Sequence, residues 1–311
     1  MDIWMSVPAI FIPDTTGLIS GGKVIPRNSG FPSLEGRDTD DIYSTPPHFQ
    51  EEENEELVAQ NIKSFIKNEC GDLKPSMLFD CRSSSSTSKL ATTYQLTLKT
   101  GLNAYPPVLL EGQAGSEVLM AIIFIKQMNY VLENGVIISA FQRIDTLDNN
   151  TVGSMFAYAD AASAIGIAPS PIAFGKSFKV IGAAIAQQSG GSYKDLKIVV
   201  DKLLADCEIS KTEKLWSVGH MINGDLSNRL SEILPDANWI TRDLYPTYNF
   251  GCVDPLISLY DIFINKPSPP RGKGLVWFAG RFGSLGIAVF NSESVGMWHE
   301  YTHYVPSYVG K

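Results

Sequence analysis

The chain has 311 residues, 44% of them hydrophobic and 19% charged, which suits a folded globular protein of one large domain or two sharing a core rather than a disordered chain. Its 25 Lys and Arg are outnumbered by 33 Asp and Glu, and a net charge of −8 argues against a nucleic-acid binder, whose phosphate contacts need a cationic surplus. The four cysteines (Cys70, Cys81, Cys207, Cys252) are scattered, with no CxxC pair, so neither a disulfide framework nor a zinc ribbon is indicated.

In chain order, Met1-Asp2-Ile3-Trp4 lacks the basic start and apolar run of a secretory signal. Val7 to Ile12 reads as a strand within a stretch rich in Gly, Pro, Asp and Ser. Leu57, Val58, Ile62, Phe65 and Ile66 recur at helical spacing behind an acidic start, predicting a helix over Asn54 to Lys67. The acidic run reads as a solvated first turn. A short strand follows at Pro75 to Phe79, then a Ser83 to Ser88 loop, a helix ending at Gly101, and a strand at Pro107 to Leu110.

Glu117 to Val131 reads as a buried helix. Its apolar run is cut by Lys126 and is too short to span a bilayer, so no membrane association is expected, and the scattered cysteines fit a reducing cytoplasm. Gly135 to Phe141 is a β-branched strand, Ser154 to Ala168 is rich in small residues, and Phe178 to Ala186 looks like a strand. The second half gives helices at Tyr193 to Ala205, Met221 to Leu234 and Pro255 to Ile264. It also gives strands near Trp239, at Leu275 to Phe278 and within Gly280 to Phe290. Strands alternating with helices predict an α/β protein.

Two passages carry a family resemblance. Phe156-Ala157-Tyr158-Ala159-Asp160-Ala161-Ala162-Ser163-Ala164 resembles the F-x-x-G-D-G-A-A-A hairpin of the β-ketoacyl synthase III condensing enzymes. Leu275 to Gly280, with Gly286 to Val289, resembles their C-terminal glycine-rich turn. The order of elements from Pro75 to Ala121 agrees. The resemblance implies a thiolase-like fold: two pseudo-duplicated α/β halves, residues 1–175 and 176–311, forming a layered αβαβα core.

It also implies a Cys-His-Asn triad. A cysteine at a helix N-terminus attacks the thioester, and histidine and asparagine polarise its carbonyl. The nucleophile segment here is Gly112-Gln113-Ala114-Gly115-Ser116-Glu117, which puts Ala114, or Gly115 with a one-residue shift, at the cysteine position; Ser116 is the nearest hydroxyl. The segment Asn238-Trp239-Ile240-Thr241-Arg242-Asp243 matches the histidine strand and puts Asp243 at the histidine. Counting back seven from Pro255 puts Tyr248 at the asparagine, with Asn249 one residue off. No catalytic residue is therefore expected.

That pattern is similar to the non-catalytic subunit of alkylquinolone-synthase-type heterodimers. The expected partner is a homologous, catalytically intact condensing-enzyme subunit, which would bring acyl-CoA or an acyl carrier protein, and no cofactor of the chain's own is expected. Pro107 to Glu111 would pair with the partner's equivalent strand, covering a sheet edge. The alternative is an acyltransferase or hydrolase with a rebuilt site using Asp243, Tyr248 or Ser116. A rival motif, His299-Glu300-Tyr301-Thr302-His303, has zinc-hydrolase spacing but no third ligand after it, and reads as a chance match. His48 and His220 read as surface or capping residues, Cys252 as a buried inert thiol, and Gly190-Gly191-Ser192 as a turn.

Overall fold

The computed structural model describes residues 2–12, 54–70, 73–83, 90–111, 115–128, 134–142, 157–172, 177–187, 194–210, 212–220, 230–245, 248–279 and 284–292. Thirteen strands are found among them: β1 (Ile3–Ser6), β2 (Ala9–Phe11), β3 (Met77–Arg82), β4 (Val108–Glu111), β5 (Val136–Gln142), β6 (Ala157–Tyr158), β7 (Ala161–Ala168), β8 (Ser177–Gln187), β9 (Trp216–Gly219), β10 (Asn238–Trp239), β11 (Tyr248–Asn249), β12 (Lys273–Ala279) and β13 (Ser284–Asn291). The helices are α1 (Asn54–Glu69), α2 (Leu90–Thr100), α3 (Glu117–Gln127), α4 (Lys194–Asp206) and α5 (Asp254–Tyr260). A 3-10 turn, Gly251–Val253, leads into α5, and a wider π turn, Asp261–Asn265, follows it.

Eleven of these strands form one mixed sheet in the order β10-β9-β12-β13-β8-β1-β7-β5-β3-β4, with β2 added beside β7. The order contains a repeat. In the N-terminal half β1 pairs antiparallel with β7, β7 antiparallel with β5, and β5, β3 and β4 run parallel. In the C-terminal half β8 pairs antiparallel with β13, β13 antiparallel with β12, and β12, β9 and β10 run parallel. The halves meet where β1 and β8 pair antiparallel, Met5 opposite Phe178. This is the α/β, pseudo-duplicated architecture expected from the sequence. In it α3, between β4 and β5, corresponds to α5, between β10 and β12.

Burial explains why these sequences take these shapes. Strands β3, β5 and β7 are buried along their whole length, as expected for strands covered on both faces. Three apolar clusters separate the layers. One lies beneath α1 and α2, built from Val58, Ile62, Phe65 and Leu96 against Leu78, Ile137 and Ala164. Another lies beneath α4, with Leu196, Val200 and Leu204 against Leu275, Ile287 and Val289. The largest runs between them and holds the buried faces of α3 (Val118, Leu119, Ile122, Ile125) and α5 (Leu256, Ile257, Leu259). The N-terminal ends of both central helices therefore open in the interior. No helix among the described residues is long and apolar enough to cross a membrane.

Strand β9 is an element the sequence reading did not contain. It lies between β10 and β12, with Trp216 opposite Asn238 on one side and Gly274 on the other. What it carries at its end decides the site.

Candidate active site

Helix α3 begins where the resemblance places the nucleophile. Ser116 is its N-cap residue, 1% exposed, and its hydroxyl makes no capping hydrogen bond. Gly115, just before it, has φ +145, a conformation side chains rarely adopt. A Cβ there would run into the carbonyl oxygen of Ala279 and come within 2.7 Å of His220 Cε1. The first turn also carries Glu117, fully buried, whose Oε2 accepts the Gly115 N–H at 2.8 Å. A carboxylate suits a helix start, where the unpaired N–H groups concentrate positive potential.

The histidine that meets this helix start is His220, the residue after β9. Its backbone N–H donates to Trp277 O at 3.1 Å, and its Nδ1 accepts the Ala279 N–H at 3.1 Å, so β12 holds it at both ends. Burial pushes its pKa below the ordinary histidine value, the largest influence on it. A neutral ring that accepts at Nδ1 carries its proton on Nε2. The Asn249 side chain lies beside the ring.

Asn249 sits in the short parallel pair of β11 with β6, opposite Tyr158. Its Oδ1 accepts the Gly251 N–H at 2.8 Å, and its carbonyl accepts the Ala159 N–H at 3.0 Å. Two loops thus converge on α3, one ending β9 with an imidazole, the other entering α5 with an amide. Chemically, the pair presents buried N–H donors beside a helix N-terminus, an arrangement that suits a carbonyl oxygen gaining negative charge.

The sequence-derived positions fall differently. Asp243 is not at the helix start: its side chain is 83% exposed and pairs with Lys266 at 3.2 Å, beside a shallow surface depression shared with Leu244, Asp261 and Asn265. Tyr248 contributes backbone to β11, and Asn249 supplies the buried amide. Ala114 lies outside the described residues, as do His48, Gly190 to Ser192, Gly280 to Gly283 and the His299-Glu300-Tyr301-Thr302-His303 motif. His220, taken from sequence as a surface or capping residue, is buried at the centre of the site. Its signal was Leu215-Trp216-Ser217-Val218-Gly219-His220, an apolar β-prone run closing on histidine. Cys252 is buried next to Cys81 and the Glu117 carboxylate, and desolvation first, then that negative charge, raises its pKa. No group of three or more His, Cys, Asp or Glu among the described residues is placed to hold a metal ion.

No family model and no curated protein matches the chain. Solved structures do. The acyltransferase ChlB3 superposes with a TM-score of 0.69 at 12% identity, covering 94% of this chain and 98% of its own. The 3-oxoacyl-[acyl-carrier-protein] synthase III of Aquifex aeolicus VF5 gives 0.64 at 10% identity, covering 93% and 99%. The corresponding synthase III of Pseudomonas aeruginosa PAO1, FabH, gives 0.63 at 9%, covering 94% and 98%. Over nearly its whole length the chain has the thiolase-type fold of these condensing and acyl-transferring enzymes.

Proposed function

We propose that the chain is an acyltransferase that binds an acyl thioester and moves its acyl group without a cysteine. The observation that carries the reading is the His220–Asn249 pair at the start of α3, with the imidazole held by Ala279 so that Nε2–H is the donor. Burying a histidine and an amide side by side is costly unless their hydrogen bonds are used. The thioester carbonyl oxygen accepts from Nε2–H and from the Asn249 amide. The Ser116 Oγ attacks the carbonyl carbon, the C–S bond breaks, and the serine proton leaves with the sulfur as free thiol. The products are an acyl-serine ester and a thiol, and an acceptor hydroxyl, amine or thiol then takes the acyl group.

Intact-mass spectrometry of the chain incubated with short- and medium-chain acyl-CoA tests the reading. An acyl adduct mapping to the peptide with Ser116, and lost in Ser116→Ala, is the expected result. Neither adduct nor thiol release with any of the thioesters would overturn it.

A second reading is a non-catalytic subunit of a heterodimeric condensing enzyme in specialised-metabolite biosynthesis. It is favoured by the nucleophile segment, Gly112 to Glu117, which holds no thiol, and by β4, which lies at the edge of the sheet where a partner strand would add. In that reading the partner is the homologous intact subunit that receives the acyl group from acyl-CoA or an acyl carrier protein. Co-expression with such a subunit then yields a heterodimer in which only the partner becomes acylated.

A further inference from the structure

We infer that Arg242 is a positioning residue for the His220–Asn249 pair, holding the two donors in register through two hydrogen-bonded arms that meet at its guanidinium. The inference rests on the acyl-transfer reading only for what the two donors act upon; the arms themselves are geometry.

Arg242 follows β10 and is fully buried, an unusual place for a guanidinium. One arm runs to the asparagine. Arg242 Nη1 pairs with Asp254 Oδ1 at 3.0 Å, and Asp254 Oδ2 accepts the backbone N–H of Phe250 at 2.9 Å, fixing the residue that follows Asn249. The guanidinium also lies over the Phe250 ring, 5.5 Å from its centre. The other arm runs to the histidine. Arg242 Nη1 donates to Ser258 Oγ at 3.4 Å, and that hydroxyl donates to the carbonyl of Gly219 at 2.8 Å, fixing the residue that precedes His220. Two more bonds, to the carbonyls of Asp254 (3.2 Å) and Tyr245 (3.4 Å), lock the arginine itself.

The geometry explains why an arginine is used. Both arms leave from Nη1 while Nη2 is held by the Tyr245 carbonyl, so the planar guanidinium fixes the direction of Nη1, which a freely rotating lysine ammonium does not. The charge matters as well. The charged groups around His220 are Asp254 from α5, Arg242 from the β10 connection, and Glu117 from the first turn of α3, while Ala279 on the β12 side brings none. Burial is the largest influence that keeps the ring neutral; the Asp254 carboxylate works against it by favouring a protonated imidazole, and the Arg242 guanidinium offsets that carboxylate. A neutral ring with its proton on Nε2 is what a carbonyl-polarising role requires.

The test is an NMR titration of the full chain carrying labelled histidine, with His220 assigned by its loss in His220→Gln. In the wild type His220 titrates below the ordinary histidine value, and its neutral form carries the proton on Nε2. In Arg242→Met the unopposed Asp254 raises its titration by ~1 unit, and adding Asp254→Asn returns it. Arg242→Lys restores the neutral ring but not the arms, so thiol release from acyl-CoA still falls by about 10²-fold. Should Arg242→Met fail to fold, Ser258→Ala cuts the histidine arm alone, and the His220 ring resonances shift while those of the other three histidines stay in place. An unchanged His220 titration in folded Arg242→Met, or unchanged His220 resonances in Ser258→Ala, overturns the inference. A shifted titration in a chain that transfers no acyl group in any form leaves the positioning role standing and overturns the proposed activity instead.

Discussion

His220 at the end of β9 accepts the backbone N–H of Ala279 at the end of β12, 3.1 Å from nitrogen to nitrogen. Because β9 and β12 are parallel neighbours with Trp277 opposite Gly219, their ends emerge together, and the sheet register dictates which ring nitrogen carries the proton. The imidazole is therefore placed by backbone on one side and by the Asn249 side chain on the other.

Burial of this ring predicts a pH dependence of stability. Its folded pKa is lowered from the ordinary 6.5, so the unfolded chain binds the proton more readily. Stability is then full above about pH 6.5 and falls as the pH drops from there toward the folded value. Urea midpoints measured between pH 8 and pH 5 should decline on the acid side in the wild type and decline less in His220→Gln. Identical slopes in the two proteins would count against a buried neutral imidazole.

Gly115→Ala should damage both fold and site. Its φ of +145 disfavours any side chain, and the new methyl would meet the Ala279 carbonyl and the His220 ring. Backbone strain and overpacking together should cost about 2–5 kcal/mol. Denaturant titration measures the loss, and the same sample's His220 NMR signal should move. A variant as stable as the wild type would mean that the start of α3 does not abut β12.

These contacts show which parts of the structure were legible in the sequence. Helices α1 and α3 and strands β5, β8 and β12 have long apolar patterns that local chemistry determines, and each lies within a few residues of the predicted span. The strand that ends on the buried His220 was harder, because two tryptophan-bearing segments resemble one another. Trp216 and Trp239 lie on adjacent parallel strands at one end of the sheet, and the reading chose the outer one. The inner strand β9 pairs on both sides and is nearly all buried, whereas β10 is a two-residue edge that ends exposed near Asp243. Sequence periodicity cannot tell an inner strand from an edge strand of four residues or fewer. Counting back from Pro255 reaches Tyr248, which supplies backbone to β11, whereas the buried amide is Asn249, one residue on and just before the 3-10 turn Gly251–Val253 that leads into α5.

Cysteine reactivity should follow burial. Cys70, Cys81 and Cys252 are buried, and desolvation raises the thiol pKa of both Cys81 and Cys252; Cys207 is partly exposed, with a smaller rise from the same cause. Iodoacetamide at pH 8.5 on the folded protein should label Cys207 first and leave the other three unmodified until urea is added. Labelling of native Cys252 at a comparable rate would place it on an open path to solvent and contradict its burial.

Ser116→Cys asks whether the site lacks only a thiol. The position is the N-cap of α3, where helix N–H groups lower a thiol's pKa, and serine and cysteine differ little in volume. His220 Cε1 lies against the neighbouring Gly115, and Asn249 lies beside His220. A thiolate is a far stronger nucleophile than a serine hydroxyl, so acylation by acyl-CoA should become at least ~10-fold faster than in the wild type. The double variant Ser116→Cys/His220→Ala should lose most of that gain, since the carbonyl is then no longer polarised by the imidazole. Intact-mass time courses on the three proteins make the comparison. Acylation of Ser116→Cys that ignores the loss of His220 would mean that the imidazole does not face the thioester. A folded Ser116→Cys protein that never acylates would mean that the start of α3 is closed to substrate, which favours the partner-subunit reading.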